Sequence, residues 1–219
     1  MRLDDLDRDG ALSDSLADLH GTTRAAFLRR AALGSAAFLA ASAAPASAAT
    51  GRRDLAILNY ALTLEYLQDA FYSEVDRIGA LSGKLAEQAR VVGAHERAHV
   101  QALREALGSH AVKRARFDFR GATEDPERFR RTAVAFEDLA VAAYKGQAPL
   151  IEDRAYLVPA LAIHSVEARH AAWIRRLAGI APAAVAFDEP RSRRSTLEIV
   201  DDTRFVVQTR SRRKPKFTG

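Results

Sequence analysis

The chain has no cysteine among its 219 residues. Disulfides, thiolate metal sites and cysteine nucleophiles are therefore excluded. Any bound metal must be held by carboxylate and imidazole, which points away from cysteine-rich zinc sites. Strand signals are also scarce: no strand-rich region stands out, and TRFVVQT, at 203–209, is a weak candidate. A strongly apolar run is missing too. The uncharged run from Ala31 to Gly51 is long enough to span a bilayer, but only Leu33, Phe38 and Leu39 in it are strongly apolar, and Ala and Ser gain little from lipid. The remaining composition, 48% hydrophobic and 28% charged, is ordinary for a soluble globular protein. It predicts one domain of moderate size with enough chain to bury a core.

The net charge of +5 is unevenly spread. The first twenty residues carry six Asp against two Arg, whereas from Arg191 onward there are nine basic residues against three acidic ones. The tail RSRRKPKFTG has the form of a nucleic-acid or membrane arm, but no aromatic interleaving accompanies its charge. It reads as a solvated, frayed terminus, and no nucleic-acid partner is expected.

The segment FLRRAALGSAAFLAASAAPASAA, at 27–49, places Arg29 and Arg30 ahead of an Ala-rich run. Pro45 then precedes Ala46-Ser47-Ala48, the small-x-small form of a signal peptidase site. The arginine pair, with the long polar stretch before it, resembles a twin-arginine export signal. Residues 1–48 are therefore expected to be a cleaved signal, read by the twin-arginine export machinery and a signal peptidase. The protein is expected to be bacterial and periplasmic or extracellular, with an uncleaved N-terminal membrane anchor as the alternative.

Beyond the signal, four helical segments are predicted, at about 54–78, 84–107, 126–146 and 153–178. The first has no Gly or Pro; Gly79, Gly108, Gly146 and Gly179 mark the ends, and Asp125-Pro126 is an N-cap followed by proline in the first turn. Pro159 predicts a kink or a late start in the fourth. Ser195 and Glu198 have capping-box spacing, which predicts a short helix over 196–202. The connections run short, long, short, with the long one at 109–124. This suits two antiparallel helix pairs joined by one crossover, the connectivity of ferritin-like four-helix bundles. The predicted organisation is an all-α bundle over 49–186, followed by a short helix and a basic tail over 187–219.

Placing residues on helical faces exposes an anomaly. Leu85, Ala89, Val92, Glu96, His99, Leu103 and Ala106 follow steps of four and three and share one face. Tyr156, Ala160, Ile163, Glu167, His170, Ile174 and Leu177 repeat the pattern on the fourth helix. Each apolar seam is interrupted by Glu-x-x-His. The first helix aligns Leu58, Leu62, Glu65, Asp69 and Tyr72, and the third aligns Ala133, Glu137, Ala140 and Tyr144. Each of these carries a Glu followed seven residues later by Tyr. The spacing repeats at 71–72 residues, so the bundle reads as two similar hairpins.

One Glu-x-x-His decides little, since about a third of an occurrence is expected by chance in this composition. Two at matched seam positions, each preceded by Glu-x6-Tyr one helix earlier, form a constellation. Four carboxylates and two imidazoles converging in a core would repel one another, and each uncompensated buried ion costs several kcal/mol. Two divalent ions balance four carboxylates. Oxygen and nitrogen ligands of this kind suit iron or manganese and also accept zinc, and the set Glu, Glu-x-x-His, Glu, Glu-x-x-His is that of dimetal carboxylate bundles. Tyr72 and Tyr144 should face inward, either orienting ligand carboxylates through hydrogen bonds or serving as ordinary core tyrosines. Asp69, one turn beyond Glu65, reads first as a solvated bundle edge and second as a hydrogen-bonding neighbour of a ligand. His95 and His164 point off the seam by about 100° and 60° and read as rim residues. Trp173 reads as a core residue, and Arg97 and Arg169 as outward-facing.

At this point the chain resembles a known group. NYALTLEYLQDAFY, AHERAHVQALREALG, FEDLAVAAYKG and SVEARHAAWIRRLAG, with RFDF in the crossover and AFDEP after the fourth helix, are similar to the ferritin-like domain family that includes desiccation-related plant proteins and fungal stress-response relatives. The resemblance covers roughly 53–202. It implies a carboxylate-bridged dimetal centre in which Glu96 and Glu167 bridge, Glu65 and Glu137 are terminal, and His99 and His170 each bind one metal. Iron is the first expectation and manganese the second. The basic tail departs from the family pattern.

The expected function is that of an exported dimetal protein oxidising ferrous iron or disposing of peroxide in stress protection. The alternatives are a non-catalytic envelope protein of desiccation stress that metal only stabilises, and a storage cage. A homodimer is left open, and a fold of this kind does not by itself specify a reaction.

Overall fold

The computed structural model describes residues 48–207. Arg29, Arg30, Ala46 and the basic end of the tail lie outside the described residues. Among these the regular structure is helical: α1 (Ala48–Ile78), α2 (Gly83–Leu107), α3 (Pro126–Gln147), α4 (Arg154–Leu177) and the shorter α5 (Arg193–Asp202), with 3-10 turns at Gly108–His110 and Ala148–Leu150. The strand candidate contributes one isolated antiparallel bridge, Phe117 to Val206.

Local chemistry sets the helix ends. At α3 the Asp125 side chain accepts from the Arg128 N–H at 2.8 Å, and Pro126 occupies the first turn, where its missing donor costs nothing. At α4 Asp153 accepts from the Ala155 N–H at 2.8 Å. Its start is also tied to α1, because the fully buried Asp54 carboxylate accepts from the backbone N–H groups of Glu152 and Asp153 at 3.2 and 2.9 Å. Gly79 and Gly179 take φ of +70° and +75° just beyond α1 and α4, a left-handed turn that side-chain-bearing residues resist.

Three local expectations change. Pro159 lies inside α4, so the late start does not hold; its ring only removes one bond, to the carbonyl of residue 155, near the beginning of the helix. The cap of α5 is Ser192, whose hydroxyl accepts from the Ser195 N–H at 3.2 Å, not Ser195 itself. Gly146 is not a terminator, since α3 continues to Gln147. It is small because the chain returning to α5 crosses there: the Arg191 N–H donates to the Ala142 carbonyl at 2.9 Å, and a Cβ on residue 146 would collide with the Arg191 carbonyl oxygen.

The bundle consists of two antiparallel hairpins, α1 with α2 and α3 with α4, joined by the long crossover at 108–125. This is the short, long, short connectivity read from the sequence. Two apolar layers fill the interior. One is aromatic: Phe71 meets Phe119 and Phe136 edge to face, and Phe71 and Phe129 lie parallel with centroids 5.4 Å apart. The crossover adds Phe119 and Ala122 to this layer, and α5 adds Val200. The other layer holds Leu58, Leu62, Tyr66, Leu103, Leu107 and Ile163. Both lie along the same seams, on opposite sides of the Glu and His positions.

Candidate metal centre

Each of the four helices delivers one glutamate to the middle of the bundle. Glu65, Glu96, Glu137 and Glu167 are all fully buried. Helical spacing then places His99 and His170 one turn beyond Glu96 and Glu167 on the same faces. The potential ligand atoms form two overlapping sets. Glu65, Glu96, His99 and Glu167 bring one atom each within 4.8 Å of one another, and so do Glu96, Glu137, Glu167 and His170. Glu96 and Glu167 belong to both sets.

The interatomic distances show what these sets can hold. His99 Nδ1 lies 3.0 Å from Glu167 Oε1, 3.3 Å from Glu65 Oε2 and 3.5 Å from Glu96 Oε2. His170 Nδ1 lies 3.1 Å from Glu96 Oε1, 3.5 Å from Glu137 Oε2 and 3.8 Å from Glu167 Oε1. One nitrogen cannot serve three oxygens at once, and all of these atoms remain without an aligned hydrogen bond although they are buried. Ligands about 2.1 Å from a metal stand about 3.0 Å apart on an octahedron and about 3.4 Å apart on a tetrahedron. The spacing thus matches the edges of coordination polyhedra, and the unsatisfied atoms are those a metal would satisfy.

The remaining ligand oxygens are held by neighbours. The Tyr72 hydroxyl donates to Glu137 Oε1 at 2.5 Å, and the Tyr144 hydroxyl donates to Glu65 Oε1 at 2.6 Å. The pairing is crossed between α1 and α3, so each tyrosine orients a glutamate of the opposite hairpin and leaves that residue's Oε2 facing inward. Gln68 Nε2 lies 3.4 Å from Glu167 Oε2. His95 Nδ1 lies 2.9 Å from Nε2 of His170, the nitrogen that faces away from the carboxylates.

Without metal, the electrostatics are strained. Burial raises the Glu167 carboxyl to about 7, with the Glu96 charge adding to the rise, and burial raises Glu137 as well. Burial alone would lower both imidazoles, but the surrounding carboxylates outweigh it: His170 is raised to about 10 and His99 also rises well above the ordinary histidine value. His95 moves the other way, down to about 4, because burial and the two neighbouring histidines oppose its charge. Tyr72 and Tyr144 are raised well above the usual phenol value by burial and then by the carboxylates Glu137 and Glu65, so they stay donors.

All eight inward-facing positions read from the sequence, the six Glu and His together with Tyr72 and Tyr144, are brought together here. Three neighbours differ from expectation. His95 is half-buried at the rim and is not a surface residue, because it reaches His170; it lies one turn before His99, and that i to i+4 relation was the signal for this contact. Asp69 is buried rather than solvated, paired with Arg114 of the crossover at 2.5 Å and bonded by Ser73 at 3.1 Å. The crossover had no periodicity from which that partner could be read. Trp173 is 36% exposed and lies outside the apolar layers, since its position is offset from the α4 seam. Arg97 and Arg169 are exposed, as expected.

No curated protein matches this chain. The family model described as a ferritin-like domain matches residues 53–179, which contain all four bundle helices from Arg53 through α4 and every residue of the two ligand sets. That match covers more than half of the chain and agrees with the all-helical bundle and its converging carboxylates: the chain belongs to the ferritin-like domain family.

Proposed function

We propose that the bundle holds a two-metal centre, with iron as the first occupant and manganese as the second. Glu96 and Glu167 are shared between the two positions; Glu65 and His99 complete one, and Glu137 and His170 complete the other. The carrying observation is that two four-residue sets share both middle glutamates and leave their inward atoms unsatisfied. Bound redox metals would pass electrons from ferrous iron to oxygen or peroxide, so that the iron is oxidised as the oxidant is reduced. The residues of the chain contribute geometry: Tyr72 and Tyr144 hold the terminal carboxylates, and the apolar layers on either side restrict water.

The reaction proposed is ferrous oxidation or peroxide disposal in stress protection, within the desiccation-related branch of the family. Arg29 and Arg30, with a cleavage site at Ala46 to Ala48, support export through the twin-arginine machinery to the periplasm or beyond. No described helix is long and apolar enough to cross a membrane. One observation favours a second reading, in which metal is structural and no turnover occurs. The carboxylates have no exposed surface and the His170 side chain is 2% exposed, as in closed metal sites that stabilise folds.

The test is metal content. The full chain, loaded with iron and separately with manganese, is expected to carry about two ions, and a Glu96→Ala, Glu167→Ala double variant far fewer. Oxygen and peroxide consumption by the iron-loaded protein then separates the two readings. A folded parent that binds neither metal ends both.

A further inference from the structure

The two halves of the centre share their carboxylates and their tyrosine bonds, at 2.5 and 2.6 Å, but they treat their histidines differently. We propose that His95 is a positioning residue for His170, making the metal position at His170 the tighter of the two and leaving the position at His99 as the one that exchanges. This rests on the dimetal reading above and adds an order of loading to it.

A histidine that binds metal through Nδ1 must carry its proton on Nε2, and its ring must be held in the ligating plane. At His170 the structure provides both constraints. Nε2 lies 2.9 Å from His95 Nδ1, and the two rings are tilted by only 18° with centroids 5.1 Å apart. The centroid separation exceeds the nitrogen separation by about two ring radii, so the rings meet edge to edge; in the His95 tautomer protonated on Nε2, the Nδ1 lone pair lies in the plane of the His170 donor. With its Nε2 proton held by His95, the proton that His170 gives up on binding metal is the one on Nδ1.

His99 has no such support. Its Nε2 has no hydrogen-bond partner among the described residues, and its side chain is 12% exposed against 2% for His170. The repeat shows that this is a difference in sequence: the residue 71 positions after His95 is Val166, which has no acceptor. A metal at the His99 position must fix the ring orientation and tautomer itself, and it lies nearer to water. Removing a hydrogen-bond partner of a ligand typically weakens metal binding about 10–100-fold.

The experiment titrates the metal-free full chain with manganous ion alone, against a competing chelator and without oxygen, in the parent, His95→Leu and His95→Asn. Asn keeps an acceptor near the place of Nδ1, whereas Leu does not. The parent is expected to load in two resolved steps. In His95→Leu the tighter step weakens by about 10–100-fold with the weaker step unchanged, and His95→Asn stays near the parent. Circular dichroism of the metal-free proteins checks folding. If His95→Leu does not fold, Val166→His decides: it is expected to tighten the weaker step, and an unchanged step overturns the proposal. Equal steps in the parent, or a folded His95→Leu that leaves both steps unchanged, overturn it while the dimetal reading stands. A parent that binds no manganese overturns both.

Discussion

Replacing Glu167 with Gln is expected to stabilise the metal-free protein while damaging the site. Glu167 is fully buried, and burial together with the Glu96 charge raises its carboxyl from 4.5 to about 7. A carboxyl raised on folding opposes folding when ionised. The penalty is absent below the unfolded value near 4.5, grows from there, and is complete above about 7. A shift of that size corresponds to about 3 kcal/mol. Gln has nearly the same shape and no charge, and its amide can still face Gln68. At pH 8 the metal-free variant should therefore gain about 3 kcal/mol, or about 5–10 °C in Tm for a domain of this size. At pH 4.5 the difference should vanish. With manganese the order should reverse, because the parent recovers its fourth carboxylate as a ligand to both ions. The assay is thermal unfolding by circular dichroism, with chelator and then with metal, at both pH values. A metal-free variant less stable than the parent at pH 8 would refute the reasoning, because the carboxylate would then be held by its histidine contacts as a structural network.

Tyr72→Phe and Tyr144→Phe should each weaken metal binding about 10–100-fold, by similar factors because their bonds are of similar length; chelator competition measures both, and an unaffected affinity would remove their orienting role. Phe129→Ala should cost about 3–5 kcal/mol, since Phe129 is fully buried in the aromatic layer and stacks on Phe71; urea unfolding with an unchanged slope checks it. The Tm increment given by metal should grow from pH 6 to pH 9. Both histidines are raised in the metal-free fold, so their contribution to its stability is present below the ordinary value of 6.5 and is lost as pH rises, through about 10 for His170, while protons compete less for every ligand. A flat increment across that range contradicts proton-coupled binding at this site.

The centre could be read from the sequence because its chemistry violates helix periodicity. A Glu on an apolar seam is costly, and four of them at repeat-related positions have no bland explanation. The bundle could be read for the same reason, from seams and from the lengths of the connections. What escaped lies where a side chain meets a partner distant in sequence. Asp69 looked like an edge because Arg114 sits in a crossover with no pattern of its own. Gly146 looked like a helix terminator, although its constraint comes from the backbone at Arg191, across a loop that no periodicity places. His95 points off the seam by periodicity, yet it meets His170 on the facing helix, a partner 75 residues away.

The repeat also separates what the centre needs from what distinguishes its halves. Glu65 and Glu137, Glu96 and Glu167, His99 and His170, and Tyr72 and Tyr144 are all matched between hairpins. These pairs build a nearly two-fold cradle that by itself would favour neither of the two proposed metal positions. The unmatched residues around them include His95 against Val166 and Gln68 against Ala140, and, in the opposite sense, Gly93 against His164. In the first two, the first hairpin supplies a polar group and the second an apolar one. His95 and Gln68 both act across the bundle on α4, at His170 and Glu167. The polar support of the first hairpin is thus directed at the ligands of the second, and the α4 ligands are constrained more than those of α2. On the dimetal reading proposed above, a symmetric ligand set with one-sided support would give two positions with the same donors and unequal rigidity, so that one ion stays while the other is exchanged.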